Sequence, residues 1–282
     1  MFLENFWADY FNALLITIIP GLVLLILFFF RDKIREPFHM VISTFAMAFI
    51  ITLPLDILIQ IVDPLLLAYF DNAYYYSFQS FFRAAYLEEV LKFSILFYYV
   101  GRHHEFDEFI DGAVYGAAIG LGYAVTENLG YMYFHDGYDY TYSDLAIARI
   151  TPMIAHTFFG IIMGVLFSKS VFQIIKNNAG IYLALFIPVF VHGIHNYSIS
   201  SKTIPYLPDF FVGAGIIVIL FFLSSMTSIK NMYNEKPKIE LTNLLFMSVV
   251  FSGLIFSIAL SLIFGNIGWD EKNFTFFNGI NI

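Results

Sequence analysis

Ionisable residues of this chain stand inside stretches that are otherwise apolar. Between Phe78 and Val100 the chain reads FQSFFRAAYLEEVLKFSILFYYV, which places Glu88, Glu89 and Lys92 within a long hydrophobic run. A charged side chain at the centre of a bilayer costs ~2.5–3.5 kcal/mol even on insertion scales, so such residues usually have a partner or a function. These three residues are therefore candidates for chemistry.

The spacing of the two glutamates predicts different environments for them. Glu88 and Lys92 are four residues apart, so they share a helix face and are predicted to form an ion pair. Glu89 is rotated from Glu88 by about 100° and is predicted not to use the same lysine. One carboxylate would be held while the other faces elsewhere, which can separate two pKa values as acid–base chemistry requires.

Three further apolar runs carry residues that suit the same chemistry. They hold Glu127 and Asn128, then Arg149 and His156, and then His192, His195 and Asn196 in the segment HGIHN. Taken singly, each has a structural interpretation as an ion pair or an interhelical hydrogen bond. Carboxylates and imidazoles recurring in four successive runs instead favour one shared site.

The elements that must position these residues are transmembrane helices. Hydrophobic residues make up 59% of the 282 residues and charged residues 13%, against roughly 25% charged in soluble domains. Eight runs approach the ~20 residues that cross a bilayer. They lie near Tyr10–Phe30, Phe38–Val62, Phe78–Val100, Gly112–Phe134, Leu145–Phe167, Gly180–Ser198, Phe210–Thr227 and Leu241–Phe264. The sequence predicts an all-α polytopic transmembrane bundle of about eight spans, forming one membrane domain over 1–282.

Lysine and arginine predict the orientation of the bundle. One set of loops holds Arg31, Lys33, Arg35, Arg102, Lys169, Lys176, Lys230, Lys236 and Lys238, and the other side holds only Lys202 and Lys272. The positive-inside rule makes the first set cytoplasmic, so both termini are predicted to be extracytoplasmic. We expect a multi-pass protein of a cell membrane, in contact with lipid and, with few and scattered basic residues, not with nucleic acid.

This topology brings the ionisable residues to one depth. At ~1.5 Å per residue, Glu88, Glu89 and His156 fall roughly 15 Å below the outer boundary, and His192 and Glu127 roughly 10 Å below it. Four helices would therefore line one polar cavity that opens to the outside.

The order of these segments resembles the PrsW family of intramembrane proteases, which are distant relatives of the CAAX prenyl proteases. The resemblance is carried by EEVLK at 88–92, FDEFIDGAVYG at 106–116, ENLGY at 127–131, Arg149 with His156, and HGIHN at 192–196. It covers roughly 80–200 and departs at Phe109, where proline is expected, while the spans within 1–77 and 205–265 are accessory. The resemblance implies a first, extracytoplasmic cut in a single-span substrate such as a membrane-anchored anti-sigma factor.

Two versions of the hydrolysis remain open. In one, Glu88 or Glu89 activates a water while Lys92 fixes the other carboxylate. His156 and His192 orient that water or act on the scissile group, Asn196 donates a hydrogen bond to the oxyanion, and Glu127 and Arg149 support the site. In the other, His156, His192 and a glutamate bind a catalytic Zn²⁺.

Two other classes of function use the same residue types. The first is a non-catalytic scaffold, like the gamma-secretase subunit that resembles these proteases without their full glutamate set. The second is a proton- or ion-coupled transporter, for which buried Glu, His and Lys are suitable. The full set of glutamates and histidines favours an enzyme, and the absence of paired broken helices disfavours a transporter.

Overall fold

A computed structural model describes residues 2–31, 36–70, 72–133, 141–174, 178–201, 207–229 and 239–266, and regular structure in these ranges is entirely helical. The α-helices are α1 (Phe2–Arg31), α2 (Phe38–Tyr69), α3 (Asn72–Phe78), α4 (Leu87–Ile95), α5 (Asp111–Tyr133), α6 (Tyr142–Ala148), α7 (Ile150–Val171), α8 (Ala179–Ser201), α9 (Leu207–Ile229) and α10 (Asn243–Asn266). Two π-helices, π1 (Gln79–Tyr86) and π2 (Leu96–Val100), join α3 and α4 into one helical segment over 72–100.

The described residues contain eight long helical segments, which confirms the predicted all-α membrane bundle. Five are long and apolar enough to cross a membrane: Tyr10–Phe30, Phe38–Leu65, Ser143–Val171, Ala179–Ser200 and Asn243–Asn266. The segment over 72–100 and α5 are more polar, because they carry the site glutamates and Lys92. In α9 the apolar stretch, Leu207–Phe221, is shorter.

Much of the predicted orientation rests on residues whose structure is not described. These are Lys33, Arg35, Lys176, Lys202, Lys230, Lys236, Lys238 and Lys272, which lie outside the described residues. The side of the membrane on which the termini stand therefore remains a prediction.

Glycines let α5 and α7 pack backbone against backbone at the centre of the bundle. A Cβ atom at Gly112 would collide with the carbonyl group of Gly164, and one at Gly116 with that of Gly160. Gly120 lies equally close to the backbone of His156. Small residues permit such an approach between membrane helices, so this contact places His156 beside the middle of α5.

The segment over 72–100 is held at the glutamates by an ion pair and a change of helix type. The Arg83 guanidinium, in π1, donates to both carboxylate oxygens of Asp63 on α2, at 3.1 and 2.8 Å. π-Helical turns are uncommon and frequent at functional sites. Here π1 ends directly before Leu87, so the wide turn and its ion pair set the direction in which Glu88 and Glu89 point.

Tyrosine hydroxyl groups fasten α10 to the rest of the bundle. The hydroxyl group of Tyr86 donates to the carbonyl oxygen of Val250 at 3.0 Å, and that of Tyr197 to Phe264 at 3.2 Å. The Tyr74 hydroxyl donates to Asn266 Oδ1 at 2.7 Å, and the hydroxyl groups of Tyr182 and Ser248 lie 2.7 Å apart. These contacts join α10 to α3, π1 and α8. Of these elements, π1 leads directly to Glu88, and α8 carries His192.

A second group of buried acids lies at the start of α5. The Asp111 carboxylate accepts hydrogen bonds from the backbone N–H groups of Asp107 at 2.9 Å and Glu108 at 2.5 Å. Burial, together with the nearby Glu36 carboxyl group, raises the pKa of Asp111 well above its usual range. The Tyr115 hydroxyl group donates a hydrogen bond to Glu36. This cluster joins the segment before α2 to the loop before α5 and the first turns of that helix.

Candidate active site

The structure brings most of the predicted site residues together from four helices. Glu88, Glu89 and Lys92 lie on α4, Glu127 on α5, His156 on α7 and His192 on α8. Glu89 and Lys92 are fully buried, and His156 and His192 are 4% and 3% exposed. The convergence predicted from depth along the helices is therefore present in the fold.

The lysine is paired differently from the prediction. Lys92 Nζ lies 2.7 Å from Glu89 Oε1 and 4.0 Å from Glu88 Oε2, at the limit of an ion pair. The expectation that Glu89 does not use Lys92 was therefore wrong. Residues three apart also share a helix face, and the long lysine side chain reaches the nearer carboxylate. Lys92 Nζ also lies 4.2 Å from the centre of the Tyr123 ring, a cation–π contact.

Glu89 also orients His192. Its Oε1 atom lies 2.9 Å from Nδ1 of His192. An ionised carboxylate only accepts hydrogen bonds, so Nδ1 carries the proton and Nε2 is left with a free lone pair in the neutral ring. That Nε2 atom faces Glu88 Oε2 at 3.9 Å. Glu89 is therefore an anchoring carboxylate, held by Lys92 and holding His192.

Glu88 makes no hydrogen bond to a described residue, whereas Glu89 is bound through Oε1 and leaves only its Oε2 atom without a partner. The Oε2 atom of Glu88 is buried and has no hydrogen-bond partner in the described part of the chain. The nearest charged or titratable atoms are Nε2 of His192 and Nζ of Lys92, at 3.9 and 4.0 Å. These distances are too long for direct hydrogen bonds. Oε2 of Glu88 and Nε2 of His192 are therefore two neighbouring polar atoms that are not engaged with each other or with another described residue.

His156 is fixed at both ring nitrogens. Its Nδ1 atom lies 2.8 Å from Lys92 Nζ, and its Nε2 atom lies 3.0 Å from Glu127 Oε2. An ammonium group has no acceptor, so Nδ1 accepts from Lys92 and the Nε2–H group donates to Glu127. Arg149 pairs with the same Glu127 oxygen at 2.9 Å. Glu127 thus links Arg149 to the site.

Asn128 is a residue whose part in this network the sequence did not reveal. It is fully buried, donates from Nδ2 to the carbonyl oxygen of Arg149 at 3.0 Å, and accepts from Arg149 Nε at 2.8 Å. Arg149 is held at backbone and side chain at once, and its guanidinium also lies 4.0 Å from the Tyr131 ring centre. Only the adjacency of Asn128 to Glu127 in the sequence could have suggested this role.

Asn196 lies outside the hydrogen-bonded cluster of site residues. It lies one turn beyond His192 on α8, half-buried, and makes no hydrogen bond to a described residue. Its predicted role as a donor to the oxyanion remains a prediction. His195, which the sequence left unassigned, is 5% exposed and packs edge-on against Phe159.

Comparison with known proteins decides the family. The chain matches the PrsW family of intramembrane metalloproteases over residues 36–226. The chain belongs to the PrsW family. The match covers all the helices that carry the site and leaves out α1 and α10 entirely.

Curated PrsW proteases of several bacteria are similar in sequence. The chain is 32% identical to Protease PrsW of Bacillus subtilis over 200 residues, which are 69% of this chain and 87% of the relative. It is 31% identical to Protease PrsW of Geobacillus kaustophilus over 194 residues, 68% of this chain and 81% of the relative. No solved structure matches the chain. Membership confirms the predicted intramembrane protease and disfavours the scaffold and the transporter.

The PrsW site fits a metal ion by its donor set. Glu88, His156 and His192 each offer one ligand atom, and these atoms lie within 4.8 Å of one another. Three carboxyl groups (Glu88, Glu89, Glu127) face two basic side chains (Lys92, Arg149), so the described cluster carries one excess negative charge when all five are ionised and both histidines are neutral. Such a charge is costly at membrane depth, and a proton or a bound cation removes the cost.

The hydrogen bonds of these three residues show which ligand atoms are free to bind a metal ion and which must first lose a hydrogen bond. Glu88 Oε2 and His192 Nε2 make no hydrogen bond within the described structure and are ready to coordinate. His156 must release one of its two hydrogen bonds first, because both ring nitrogens are engaged. Glu89 stands behind His192 and Glu127 beside His156, as carboxylates commonly do behind zinc-bound histidines. A His₂Glu zinc set thus fits these residues.

Proposed function

We propose that this PrsW-family protease hydrolyses a peptide bond of a single-span membrane protein near its extracytoplasmic face. In the orientation predicted from lysine and arginine, α5 and α8 run outward and α7 runs inward. A rise of ~1.5 Å per residue then puts Glu127 and His156 roughly 9 Å, and His192 roughly 14 Å, from the outer ends of their helices. A site in the outer half suits a cut on that side.

Glu88 is the proposed general base. Its carboxylate makes no hydrogen bond to a described residue, and its Oε2 atom lies 3.9 Å from the free Nε2 of His192. A water bound to both of these atoms would give one proton to Glu88, and its oxygen would attack the scissile carbonyl carbon. Glu88 would then pass the proton to the leaving amine, which completes general acid–base hydrolysis.

The other residues of the network hold this geometry. Glu89 fixes the tautomer of His192, and Lys92 fixes Glu89 while donating to His156. Arg149 and Glu127 hold His156 from the outer side. Asn196, half-buried one turn from His192, would donate its amide N–H to the oxyanion that forms on the carbonyl. The observation that carries this assignment is that the Glu88 carboxylate makes no hydrogen bond to a described residue, whereas Oε1 of Glu89 is held by both Lys92 and His192.

A metal ion would change the role of Glu88 in this proposal. Glu88, His156 and His192 would hold it, so Glu88 would be a ligand instead of the free base, and a zinc ion bound there would act as a Lewis acid on the scissile carbonyl group. The residues that orient the imidazole rings, Glu89 and Glu127, keep the same roles with or without it.

Cleavage by purified protein tests the function. Full-length protein in proteoliposomes would be incubated with single-span proteins tagged at both ends, and the products would be identified by mass spectrometry. We expect a cut in the outer part of the span, lost in Glu88→Gln and His192→Ala and kept in His104→Ala, whose side chain is 81% exposed in a loop. Cleavage by Glu88→Gln at the wild-type rate would refute the assignment of the base.

Two further arms test the metal and the substrate class. Loss of cleavage with a strong chelator and its return with added Zn²⁺ would support the metal site, whereas cleavage unchanged by chelation would exclude it. A membrane-anchored anti-sigma factor is the proposed substrate, because the residues that resemble the PrsW family imply one. Co-expression of the protease with such a factor and a sigma-dependent reporter should switch the reporter on, and only with active protease.

A further inference from the structure

His195 is the residue of the HGIHN segment that the proposed mechanism does not use. Its side chain is 95% buried on α8, since it is 5% exposed. Its Nδ1 atom is buried, and within the described structure it has no hydrogen-bond partner. A polar group at membrane depth without a partner is costly, because lipid supplies none.

The surroundings of His195 place it beside the site and in an apolar wall. The ring of Phe159 lies 6.3 Å from the His195 ring and stacks on His192 at 4.9 Å, so one phenylalanine separates the two imidazoles. The ring of Phe211, from the first turns of α9, meets His195 edge-on at 6.0 Å. The imidazole of His195 therefore lies where α7, α8 and α9 meet.

A substrate of this enzyme needs hydrogen-bond partners within the membrane, and His195 can provide them. The peptide bonds of a transmembrane helix are engaged in hydrogen bonds within the helix, so the helix must unwind before one of them can be attacked. Unwinding frees backbone N–H and C=O groups, and each costs several kcal/mol in the bilayer unless it finds a partner. A neutral imidazole carries one donor and one acceptor.

We propose that His195 binds the backbone of the unwound substrate segment next to the scissile bond. This inference rests on the proposed function. The substrate peptide takes the hydrogen bond that Nδ1 lacks in the free enzyme, and the edge of the Phe211 ring moves off the imidazole as the segment enters. Phe159 and Phe211 then flank the adjoining side chain, which favours an apolar residue there. His195 is a binding residue and takes no part in proton transfer.

Two substitutions separate binding from packing. His195→Phe keeps an aromatic ring against Phe159 and Phe211 but removes both polar atoms. His195→Gln keeps a donor and an acceptor. We expect His195→Phe to raise KM by about three- to tenfold, the worth of one hydrogen bond, with kcat within about twofold of wild type. The Gln variant should recover most of the loss, and neither variant should lower the thermal midpoint.

A substrate with single backbone esters locates the contact. An ester replaces the N–H group by oxygen and weakens the carbonyl acceptor, so a peptide group bound by His195 loses less in the His195→Phe enzyme than in wild type. Binding of these synthetic single-span peptides would be measured on the non-cleaving Glu88→Gln protein, with and without His195→Phe. Coupling confined to one position beside the cut is the expected result.

The outcomes distinguish this inference from the proposed function. If wild-type protein cleaves but KM is unchanged in His195→Phe, or if no ester position couples to it, His195 does not bind the substrate backbone. A fall of kcat and of the thermal midpoint together in His195→Phe would show a structural role and would also overturn the inference. Failure of wild-type protein to cut any single-span protein would instead count against the proposed function, and ester coupling would still report on binding.

Discussion

Replacing the neighbouring residues Glu88 and Glu89 by glutamine, one at a time, should produce two different defects. Glu89 makes the short contact with Lys92, at 2.7 Å, and both side chains are fully buried. Glu88 lies 4.0 Å from the same ammonium group. Glu89→Gln should therefore destabilise the protein, whereas Glu88→Gln should abolish cleavage and leave stability nearly unchanged.

The magnitude follows from the burial of the pair. Removing one partner of a buried ion pair typically costs 3–5 kcal/mol, because the other charge stays buried without compensation. Glu88 is near enough to take over part of the compensation, so we expect the lower end, about 3 kcal/mol for Glu89→Gln. For a chain of this size that lowers the thermal midpoint by roughly 6–12 °C.

Thermal unfolding in detergent and cleavage of one substrate would be measured on both variants. Lys92→Met combined with Glu89→Gln is the matched control, since it removes both charges and should recover much of the lost stability. Equal destabilisation by Glu88→Gln and Glu89→Gln would refute the pairing described for Lys92. So would a double variant that is less stable than Glu89→Gln alone.

Three other predictions test the surrounding structure. Because the pKa of Asp111 is raised in the folded protein, its contribution to stability is present at low pH and is lost as pH rises through that raised value. Asp111→Asn should thus raise the thermal midpoint at pH values above that raised pKa and weaken its decline as the pH increases. Asn128→Ala releases Arg149 from two hydrogen bonds and should lower kcat/KM by roughly 10- to 100-fold, as loss of an orienting partner does. Gly116→Val sets a side chain against the Gly160 carbonyl group and should lower the unfolding free energy by about 1–3 kcal/mol.

Each of these has an outcome that contradicts it. A wild-type midpoint that rises with pH, or an Asp111→Asn variant with unchanged pH dependence, would show that Asp111 is ionised in the fold. Asn128→Ala with full activity would show that Arg149 needs no second anchor. For the glycine contact the control is Gly213→Ala, where a Cβ would meet nothing within 4 Å. Equal effects at Gly116 and Gly213 would mean that the close approach of α5 and α7 is unimportant.

The positions of the helices along the chain could be predicted from the sequence, because they depend on local composition. Long apolar runs gave the eight segments, and the glycines at 112, 116 and 120 indicated a face for close packing. Their partners, Gly160 and Gly164 on α7, could not be identified, because helix pairing depends on the whole bundle. The π-helical turns of π1 and π2 have no sequence signal comparable to a proline or a glycine.

The sequence sufficed to predict which glutamates and histidines come together in the site, but not which pairs of residues form its hydrogen bonds and ion pairs. Depth along each helix sufficed to group Glu88, Glu89, His156 and His192, because helix rise is constant. Which carboxylate takes Lys92 depends on side-chain conformation and on His192 arriving from α8, and neither can be read from spacing within α4. The role of Asn128 depends on the backbone of Arg149, which only the fold brings near.

The tyrosine contacts of α10 bear on how small this enzyme can be made. The family match ends at 226, which invites a shortened protein without α10. Such a protein would leave the hydroxyl groups of Tyr86 and Tyr197 facing lipid without the carbonyl acceptors of Val250 and Phe264. Tyr86 is two residues from Glu88, so the unmet polar groups would arise beside the reacting carboxylate. We therefore expect that trimming the protein to the family boundary would disturb the centre of the site.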